Sequence, residues 1–336
     1  MTTHSTRSRH PDLMPINASS HAPLAAQIAA QGWVGGMFRT PWKTEHNVVY
    51  FNPAIRLGTT PHLFARECRW NGHWSQCSNQ IVRLDIEDDR IVNPKVVSFD
   101  KLHPTESWED PRIYVGSDGI TRLGVAAWYL YQPIKVSQVL VDLDGKDDAR
   151  KTRISPIYGH NARDIFWNTG NEKNWMWFED PVTGGLKWVY SVSPHVVCEY
   201  QNGDIVAHTT KPAMHCPTGE LRGGTNPIRI GDEYLAFIHW SVPWKTIPKY
   251  GLRRRYFTTA YMFHAEPPYA PTRWIPEHLL AGSEHDAVIP GSPAVVFPCG
   301  LADEGDTLFM TFGSNDCECG WARIPKEDLL SRMVPC

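Results

Sequence analysis

The sequence has 336 residues, of which 42% are hydrophobic and 21% are charged, and its formal net charge is −3. These values are ordinary for a globular protein with a sizeable core, and they exclude the strongly basic surface that duplex nucleic acid requires. No apolar run approaches the roughly 20 residues of a membrane-spanning helix, so we expect neither a nucleic acid nor a membrane span.

The chain begins with a polar stretch that contains Arg, His and Ser but lacks the apolar core of a secretory signal. We therefore expect a mobile N-terminal lead over residues 1–30, with a short helix at Leu24–Ala30, and a single domain over residues 31–336. Reduced cysteines and a cytoplasmic location are the matching expectation. The eight cysteines have no C-x-x-C pair and no zinc-finger spacing, so no metal site is predicted.

From residue 47 onward, short runs rich in β-branched and aromatic residues alternate with Gly, Pro, Asp and Asn. These runs predict strands at 48–51, 122–131, 186–191, 233–239, 295–297 and 307–312. Helical periodicity occurs only at 276–281 and 325–332. The 27 prolines and 25 glycines indicate many turns. The chain is therefore predicted to be all-β.

Five segments share one plan: a small or polar residue, a strand, a turn with Asp or Gly, and a second strand. They begin near Tyr50, Ser107, Glu172, Gly223 and Val296. Their average spacing of about 60 residues exceeds that of compact solenoid repeats and is typical of propeller blades with long loops. We predict a five-bladed β-propeller with a central axial pocket, and a two-sheet sandwich is the competing arrangement.

In a propeller, the innermost strand of each blade begins at the central channel, so the polar starts of the five segments are predicted to converge. Clustered polar groups on an apolar scaffold indicate a ligand site, because burying them unpaired is unfavourable. The predicted ring consists of Asn52, Glu109, Asp110, Arg112, Lys173, Asn174, Arg222, Thr225 and, at strand ends, Arg66, His239 and Asp316. The 14 tryptophans fit either stacking on sugar rings or packing between blades.

Five motifs occur in chain order: Asn52-Pro53 with Arg66, Glu109-Asp110-Pro111-Arg112, Glu172-Lys173-Asn174, Phe237-Ile238-His239, and residues 295–300 with 312–316. Together they resemble glycoside hydrolase family 130, the β-mannoside phosphorylases and β-mannosidases, and related mannosyltransferases on the same five-bladed fold. The likeness spans about residues 47 to 325. The resemblance implies that Asp110 is the proton donor, acting through a hydroxyl of the bound mannosyl unit, while the acceptor attacks the anomeric carbon from the opposite face.

Glu109 is expected to point away from the pocket, because successive side chains of a strand alternate. If phosphate is the nucleophile, cations must hold it. The expected contacts are Arg66, Arg112, Lys173 and His239, with one of Arg253, Arg254 and Arg255 added from a loop. If water is the nucleophile, a second carboxylate must act as base, and Asp316 and Glu172 are the candidates.

The predicted function is inverting glycosyl transfer to phosphate or a sugar acceptor on a β-linked glycoside, foremost a β-mannoside. An oligosaccharide or glycoside is the expected partner, and a homo-oligomer stays open. No cofactor is expected, with inorganic phosphate as the candidate co-substrate. Two alternatives remain: a glycosyltransferase that uses a nucleotide-sugar donor, and a β-glycoside hydrolase or non-catalytic glycan-binding propeller.

Overall fold

A computed structural model describes residues 22–39, 48–58, 60–69, 78–99, 107–128, 136–154, 173–180, 183–202, 204–211, 214, 216, 218–247, 251–286 and 293–336. These residues form antiparallel β-structure with two short helices, α1 (Leu24–Ala30) and α2 (Lys326–Ser331). The all-β prediction is confirmed. Within the described part of the chain, neither helix has the length and hydrophobicity that crossing a membrane requires.

The described part of the chain contains 23 strands. They are β1 (Val34–Met37), β2 (Val48–Arg56), β3 (His62–Arg69), β4 (Ser78–Glu87), β5 (Arg90–Val96), β6 (Ser107–Val115), β7 (Thr121–Trp128), β8 (Val136–Leu143), β9 (Ala149–Ile154), β10 (Met176–Glu179), β11 (Leu186–Val192), β12 (His195–Gln201), β13 (Asp204–Thr210), β14 (Arg222–Gly223), β15 (Ile228–Ile230), β16 (Glu233–Ile247), β17 (Gly251–His264), β18 (Pro271–Trp274), β19 (Leu280–Ala281), β20 (Val296–Asp303), β21 (Thr307–Ser314), β22 (Glu318–Pro325) and β23 (Val334–Pro335).

The strands described form five antiparallel sheets. The first sheet contains β2 to β5, the second β6 to β9, the third β10 to β13, the fourth β14 to β19 with β23, and the fifth β20 to β22 with β1. The fifth sheet is completed from the other end of the chain, because β1 pairs with β22 in the register Val34↔Arg323. Closure by a terminal strand is typical of propeller-like architectures, which leave only short, protected edges.

Hydrophobic clusters join each sheet to the next, and the last to the first. Each cluster takes buried side chains from two neighbouring sheets: Phe64 and Val125 from the first and second, Leu140 and Trp188 from the second and third, Val189 and Tyr261 from the third and fourth, Leu235 and Met310 from the fourth and fifth, and Phe309 and Leu63 from the fifth and first. The sheets therefore pack in a closed circuit, and the fold is propeller-like.

Three of the tryptophans pack in the core between two sheets. Trp175, Trp177 and Trp188 are fully buried, and the rings of Trp175 and Trp188 stack with centroids 5.5 Å apart. Gly124 on β7 leaves room for this cluster, because a Cβ there would lie 2.3 Å from Nε1 of Trp177. These three side chains therefore fill the packing between the second and third sheets and are not available to stack on a ligand.

The helices match the predictions at two places and differ at a third. Helix α1 occupies the predicted residues, and it packs into the core through Leu24 and Ile28, whereas residues 1–21 of the predicted lead lie outside the described residues. Helix α2 lies within the predicted 325–332. The helix predicted at 276–281 is wrong. Leu280 pairs with Thr258 of β17, so the backbone at this position is extended and not helical.

Candidate functional site

The first strands of the first two sheets, β2 and β6, each have a β-bulge at a polar residue that is followed by proline. The register of β2 with β3 shifts around Asn52, whose φ is 52°, and that of β6 with β7 shifts around Asp110, whose φ is 51°. Positive φ is uncommon outside glycine, and Asn and Asp tolerate it best among the other residues. The bulge interrupts the alternation of side chains along β6. Both Glu109 and Asp110 therefore face the same cavity, and the expectation that Glu109 points away is wrong.

A cavity of about 400 Å³ opens where the inner strands begin. Nine residues of the predicted ring line it: Asn52, Arg66, Glu109, Asp110, Lys173, Asn174, Arg222, His239 and Asp316. The remaining lining residues are Glu220, Ser241, Arg254, Tyr256, Val295 and Phe297. A second cavity of about 810 Å³ lies at the opposite ends of the same strands, between residues such as Ile55, Ile113, Phe178 and Leu301.

Two residues of the predicted ring do not line the cavity. Arg112 is 1% exposed and lies beneath Asp110, where its Nε donates to the Gly224 carbonyl at 2.6 Å and its NH1 donates to the Asp110 carbonyl at 3.1 Å. The Thr225 hydroxyl accepts a hydrogen bond from the Phe237 amide at 3.0 Å. Both side chains are occupied with the backbone of the fold, so neither contacts a ligand in the cavity directly.

The acidic side of the cavity is organised by Arg66. Its NH2 lies 2.7 Å from Oε1 of Glu109 and its NH1 lies 3.4 Å from Oδ1 of Asp110. Asn79 fixes this arginine, because its Oδ1 accepts from Arg66 Nε at 2.9 Å while its Nδ2 donates to Glu109 at 3.1 Å. The Asn52 amide donates to Asp110 Oδ1 at 2.7 Å. Glu109 and Asp110 are thus held by a fixed set of donors.

The two aspartates of the cavity differ in their ionisation. Burial opposes the charge of Asp110, but Arg66, Lys173 and the Asn52 hydrogen bond outweigh it and hold the pKa of Asp110 below its ordinary value. Asp316 follows β21 in a turn. Burial raises the pKa of Asp316 to about 6, with Asp110 and Glu109 adding to the rise and Arg66 opposing it. The other sequence candidate for a base, Glu172, lies outside the described residues.

The cations available to an anionic ligand agree only in part with those expected from the sequence. Burial, aided by the charges of Arg112 and Arg222, lowers the pKa of His239 to about 3, so this imidazole is neutral at physiological pH. Arg66 is committed to two carboxylates. Lys173 and Arg254 remain, of which the sequence placed Arg254 only within a run of three arginines, whereas Arg222 pairs with Glu220 of the same cavity at 2.7 Å.

Arg254 reaches the cavity because β16 and β17 are unusually long. It lies on β17, not in a loop as expected, and alternation along that strand points Arg254 and Tyr256 to the cavity while Arg255 is buried on the other face. Arg254 donates from Nε to the Ser241 hydroxyl at 2.8 Å and from NH2 to the Ser241 carbonyl at 2.6 Å. Ser241, Arg254 and Tyr256 belong to no sequence motif. Only the pairing of β16 with β17 identifies them as residues of the cavity.

Groups of both charges share one small space. Glu109, Asp110 and Asp316 line it together with Lys173, Arg254, the Arg222–Glu220 ion pair and the neutral His239 ring. The His239 ring packs against Tyr256 and Phe297, with centroids 5.8 and 4.6 Å away. Such a cavity can both protonate a leaving oxygen and hold an anion. Among the residues described, no cluster of His, Cys, Asp and Glu is suited to hold a metal ion.

Solved structures with the same fold include mannoside phosphorylases and a mannosyltransferase. No protein-family profile and no curated protein matches the sequence. The β-1,2-mannobiose phosphorylase of Listeria innocua is 15% identical over 86% of this chain and 94% of its own, with a TM-score of 0.60. The Leishmania mexicana mannose phosphorylase MPT-4 is 10% identical over 93% and 95%, and the GDP-Man-dependent mannosyltransferase MPT-1 of the same organism is 12% identical over 87% and 89%; both have TM-scores of 0.58.

At these identities, the likeness establishes the fold. It agrees with the resemblance drawn from the sequence motifs, including the family 130 mannoside phosphorylases and hydrolases, one of which aligns with a TM-score of 0.62 at 13% identity. The chain is accordingly a divergent relative in fold.

Proposed function

We propose that this chain is a carbohydrate-active enzyme whose five sheets are the blades of a five-bladed β-propeller. In this proposal, its axial cavity catalyses inverting transfer of a glycosyl unit from a β-linked glycoside, foremost a β-mannoside, to phosphate or a sugar acceptor. The observation that carries the proposal is a single cavity lined both by carboxyl groups, Asp110 among them, and by cations, Lys173 among them. The mannoside-active enzymes that share the fold support it.

The carboxyl groups are assigned to the leaving group. Asp110 is proposed to deliver the proton to the departing glycosidic oxygen, and the bonds from Asn52 and Arg66 fix the direction in which its carboxyl group points. A positioned acid of this kind contributes about 10²–10⁴-fold to rate. Glu109 shares the same arginine and is assigned to binding sugar hydroxyls, since a carboxylate accepts hydrogen bonds strongly.

The cations are assigned to the nucleophile. Lys173, Arg222 and Arg254 line the same cavity, and the neutral His239 ring can donate one hydrogen bond without adding charge. In the proposal, phosphate bound by these groups lies across the anomeric carbon from Asp110, which is the geometry that an inverting displacement requires.

The test is an incubation of the protein with β-linked mannobioses and inorganic phosphate, with detection of a sugar 1-phosphate. We expect phosphate-dependent product from the wild type and a loss of about 10²–10⁴-fold in Asp110→Asn, because the amide keeps the shape but has no acidic proton. Phosphate binding, measured by calorimetry, should survive in that variant. Full turnover by Asp110→Asn would remove Asp110 from the proposed role.

A second candidate is a glycosyltransferase with a nucleotide-sugar donor, because a GDP-Man-dependent mannosyltransferase shares the fold over 87% of this chain. Thermal-shift measurements with inorganic phosphate and with GDP-mannose separate the two functions. Stabilisation by phosphate alone supports phosphorolysis, whereas stabilisation by GDP-mannose supports the transferase. A glycan-binding propeller without activity would show no turnover of any of these donors.

A further inference from the structure

The two aspartates of the cavity have different surroundings. Asp110 accepts hydrogen bonds from Asn52 at 2.7 Å and from Arg66 at 3.4 Å. Asp316 accepts no hydrogen bond from any of the described residues, although its carboxyl group lines the same cavity. A carboxylate that is partly buried without donors is destabilised in its charged form, whereas one held by an amide and a guanidinium is stabilised.

Among the described residues, the charged and titratable groups that act most strongly on Asp316 come from four segments of the chain. Arg66 comes from β3, Glu109 and Asp110 from β6, and Lys173 from the segment before β10. Tyr256 of β17 also interacts with it electrostatically. Of the two cations, Arg66 is already bonded to Glu109 and Asp110. The two acidic neighbours therefore act on Asp316 against Lys173 and against an Arg66 that is already paired.

This asymmetry creates a difficulty for the proposed reaction. Asp110 is placed to deliver a proton, but Arg66, Lys173 and Asn52 keep it ionised when the cavity is empty of ligand. Asp316 holds a proton over a wider range of pH, because burial and the neighbouring carboxylates favour its neutral form. Carboxyl groups that interact in one site titrate as a pair, and one proton can be shared between them.

We propose that Asp316 supplies the proton that Asp110 delivers: the pair shares one proton, which rests on Asp316 in the ligand-free protein and passes to Asp110 when an anion binds the cations of the cavity. The inference rests on the proposed function. The trigger is electrostatic, since Lys173 and Arg66 are the cations that keep Asp110 ionised. A bound phosphate dianion offsets their charge and raises the proton affinity of Asp110.

The proton inventory closes over one turnover. The neutral carboxyl of Asp316 gives its proton to the Asp110 carboxylate, and Asp110 gives it to the glycosidic oxygen as the bond from that oxygen to the anomeric carbon breaks with its electron pair. A lone pair of HPO₄²⁻ forms the new bond to the anomeric carbon. The sugar 1-phosphate then loses its remaining proton to the carboxylate pair, which restores the starting state without an oxidant or reductant.

The kinetic test compares the pH dependence of kcat/KM for phosphorolysis in the wild type, Asp316→Asn and Asp316→Glu. Because kcat/KM reports the free enzyme, the wild-type value should fall as pH rises through about 6. In Asp316→Asn, the fall should move below about pH 4, so that activity is about 100-fold lower at pH 7 and recovers on acidification. Asp316→Glu should restore the wild-type profile. A loss in Asp316→Asn that is equal at every pH would overturn the proposal.

A second measurement does not depend on turnover. In ¹³C NMR of protein labelled at the aspartate carboxyl carbons, one resonance should titrate with a midpoint of about 6. It should be absent in Asp316→Asn and unchanged in Asp303→Asn, a control in the same sheet whose carboxylate pairs with Lys326. Persistence of that resonance in Asp316→Asn would refute the pairing. Absence of phosphorolysis in the wild type, with the resonance present, would instead refute the proposed function.

Discussion

The ionisation of Asp316 has a consequence for stability that requires no substrate. Its pKa rises from 3.8 to about 6 on folding, a change of about 2 units, which corresponds to about 3 kcal/mol at 1.36 kcal/mol per unit. Because the folded pKa is the higher one, the native state binds the proton more tightly. The contribution of Asp316 to stability is therefore most favourable below about pH 4 and declines as pH rises from about 4 to about 6.

The substitution Asp316→Asn removes this charge while keeping the shape of the side chain. We expect the variant to be more stable than the wild type by about 1–3 kcal/mol at pH 7.5, with the lower half of the range reflecting the partial exposure of the side chain. At pH 4, the difference should shrink to less than about 1 kcal/mol, since the folded carboxyl is then protonated and the unfolded one is only about half ionised. The two proteins differ in the pH dependence of stability, not in packing.

The assay is urea denaturation of both proteins at pH 4, 6 and 7.5, followed by tryptophan fluorescence. The quantity of interest is the change in the free energy of unfolding between pH 4 and 7.5, compared between variant and wild type. A variant that is less stable at pH 7.5, or that differs from the wild type by the same amount at every pH, would refute the assignment of a destabilised carboxylate to Asp316.

Two further substitutions probe the cavity wall and the packing of the sheets. Arg254→Met should raise the KM for phosphate about tenfold with little change in kcat, because a charge-assisted contact is lost. Arg229→Met at the opposite cavity should leave both constants unchanged. Steady-state kinetics with phosphate as the varied substrate measures both variants, and equal effects of the two substitutions would contradict the assignment. Gly124→Ala should lower the free energy of unfolding by about 1–3 kcal/mol, because its Cβ would lie 2.3 Å from Trp177. Gly145→Ala meets open space and should leave the free energy of unfolding unchanged. Urea denaturation midpoints measure both variants, and equal midpoints would show that the indole of Trp177 moves aside.

Much of the fold could be predicted from the sequence, because alternation and composition are local signals. The strands at 48–51, 186–191 and 307–312 lie inside β2, β11 and β21. The polar residues at the starts of the repeated segments could be predicted to lie close together, because a structural repeat places equivalent residues at equivalent positions of the fold. Nine members of the predicted ring line one cavity for that reason.

The features that the sequence did not reveal depend on backbone conformation and tertiary pairing. Glu109 faces the cavity only because the chain adopts positive φ at Asp110, and no pattern of residue types specifies that bulge. Arg254 joins the site through the long pairing of β16 with β17. The neutrality of His239 follows from burial among arginines, which exists only once the sheets have assembled.

The helix predicted at 276–281 failed for a related reason. Leu279, Leu280 and Ala281 are buried together, and the Leu279 amide donates to the Thr258 carbonyl at 2.7 Å. An apolar run of this length has no polar face to distinguish a helix from a buried extended segment. The adjacent edge of β17 offers hydrogen bonds that an extended chain satisfies, so tertiary pairing decides the conformation.

The central claim is that the cavity around Asp110 transfers a glycosyl unit with inversion, and the stereochemistry of the first product tests it most directly. The measurement is ¹H and ³¹P NMR of the initial product formed from a β-linked mannobiose and phosphate, before the reverse reaction. The account predicts an α-configured mannosyl phosphate from the wild type and none from Asp110→Asn. A β-configured phosphate, or the same product at an undiminished rate from Asp110→Asn, would contradict it.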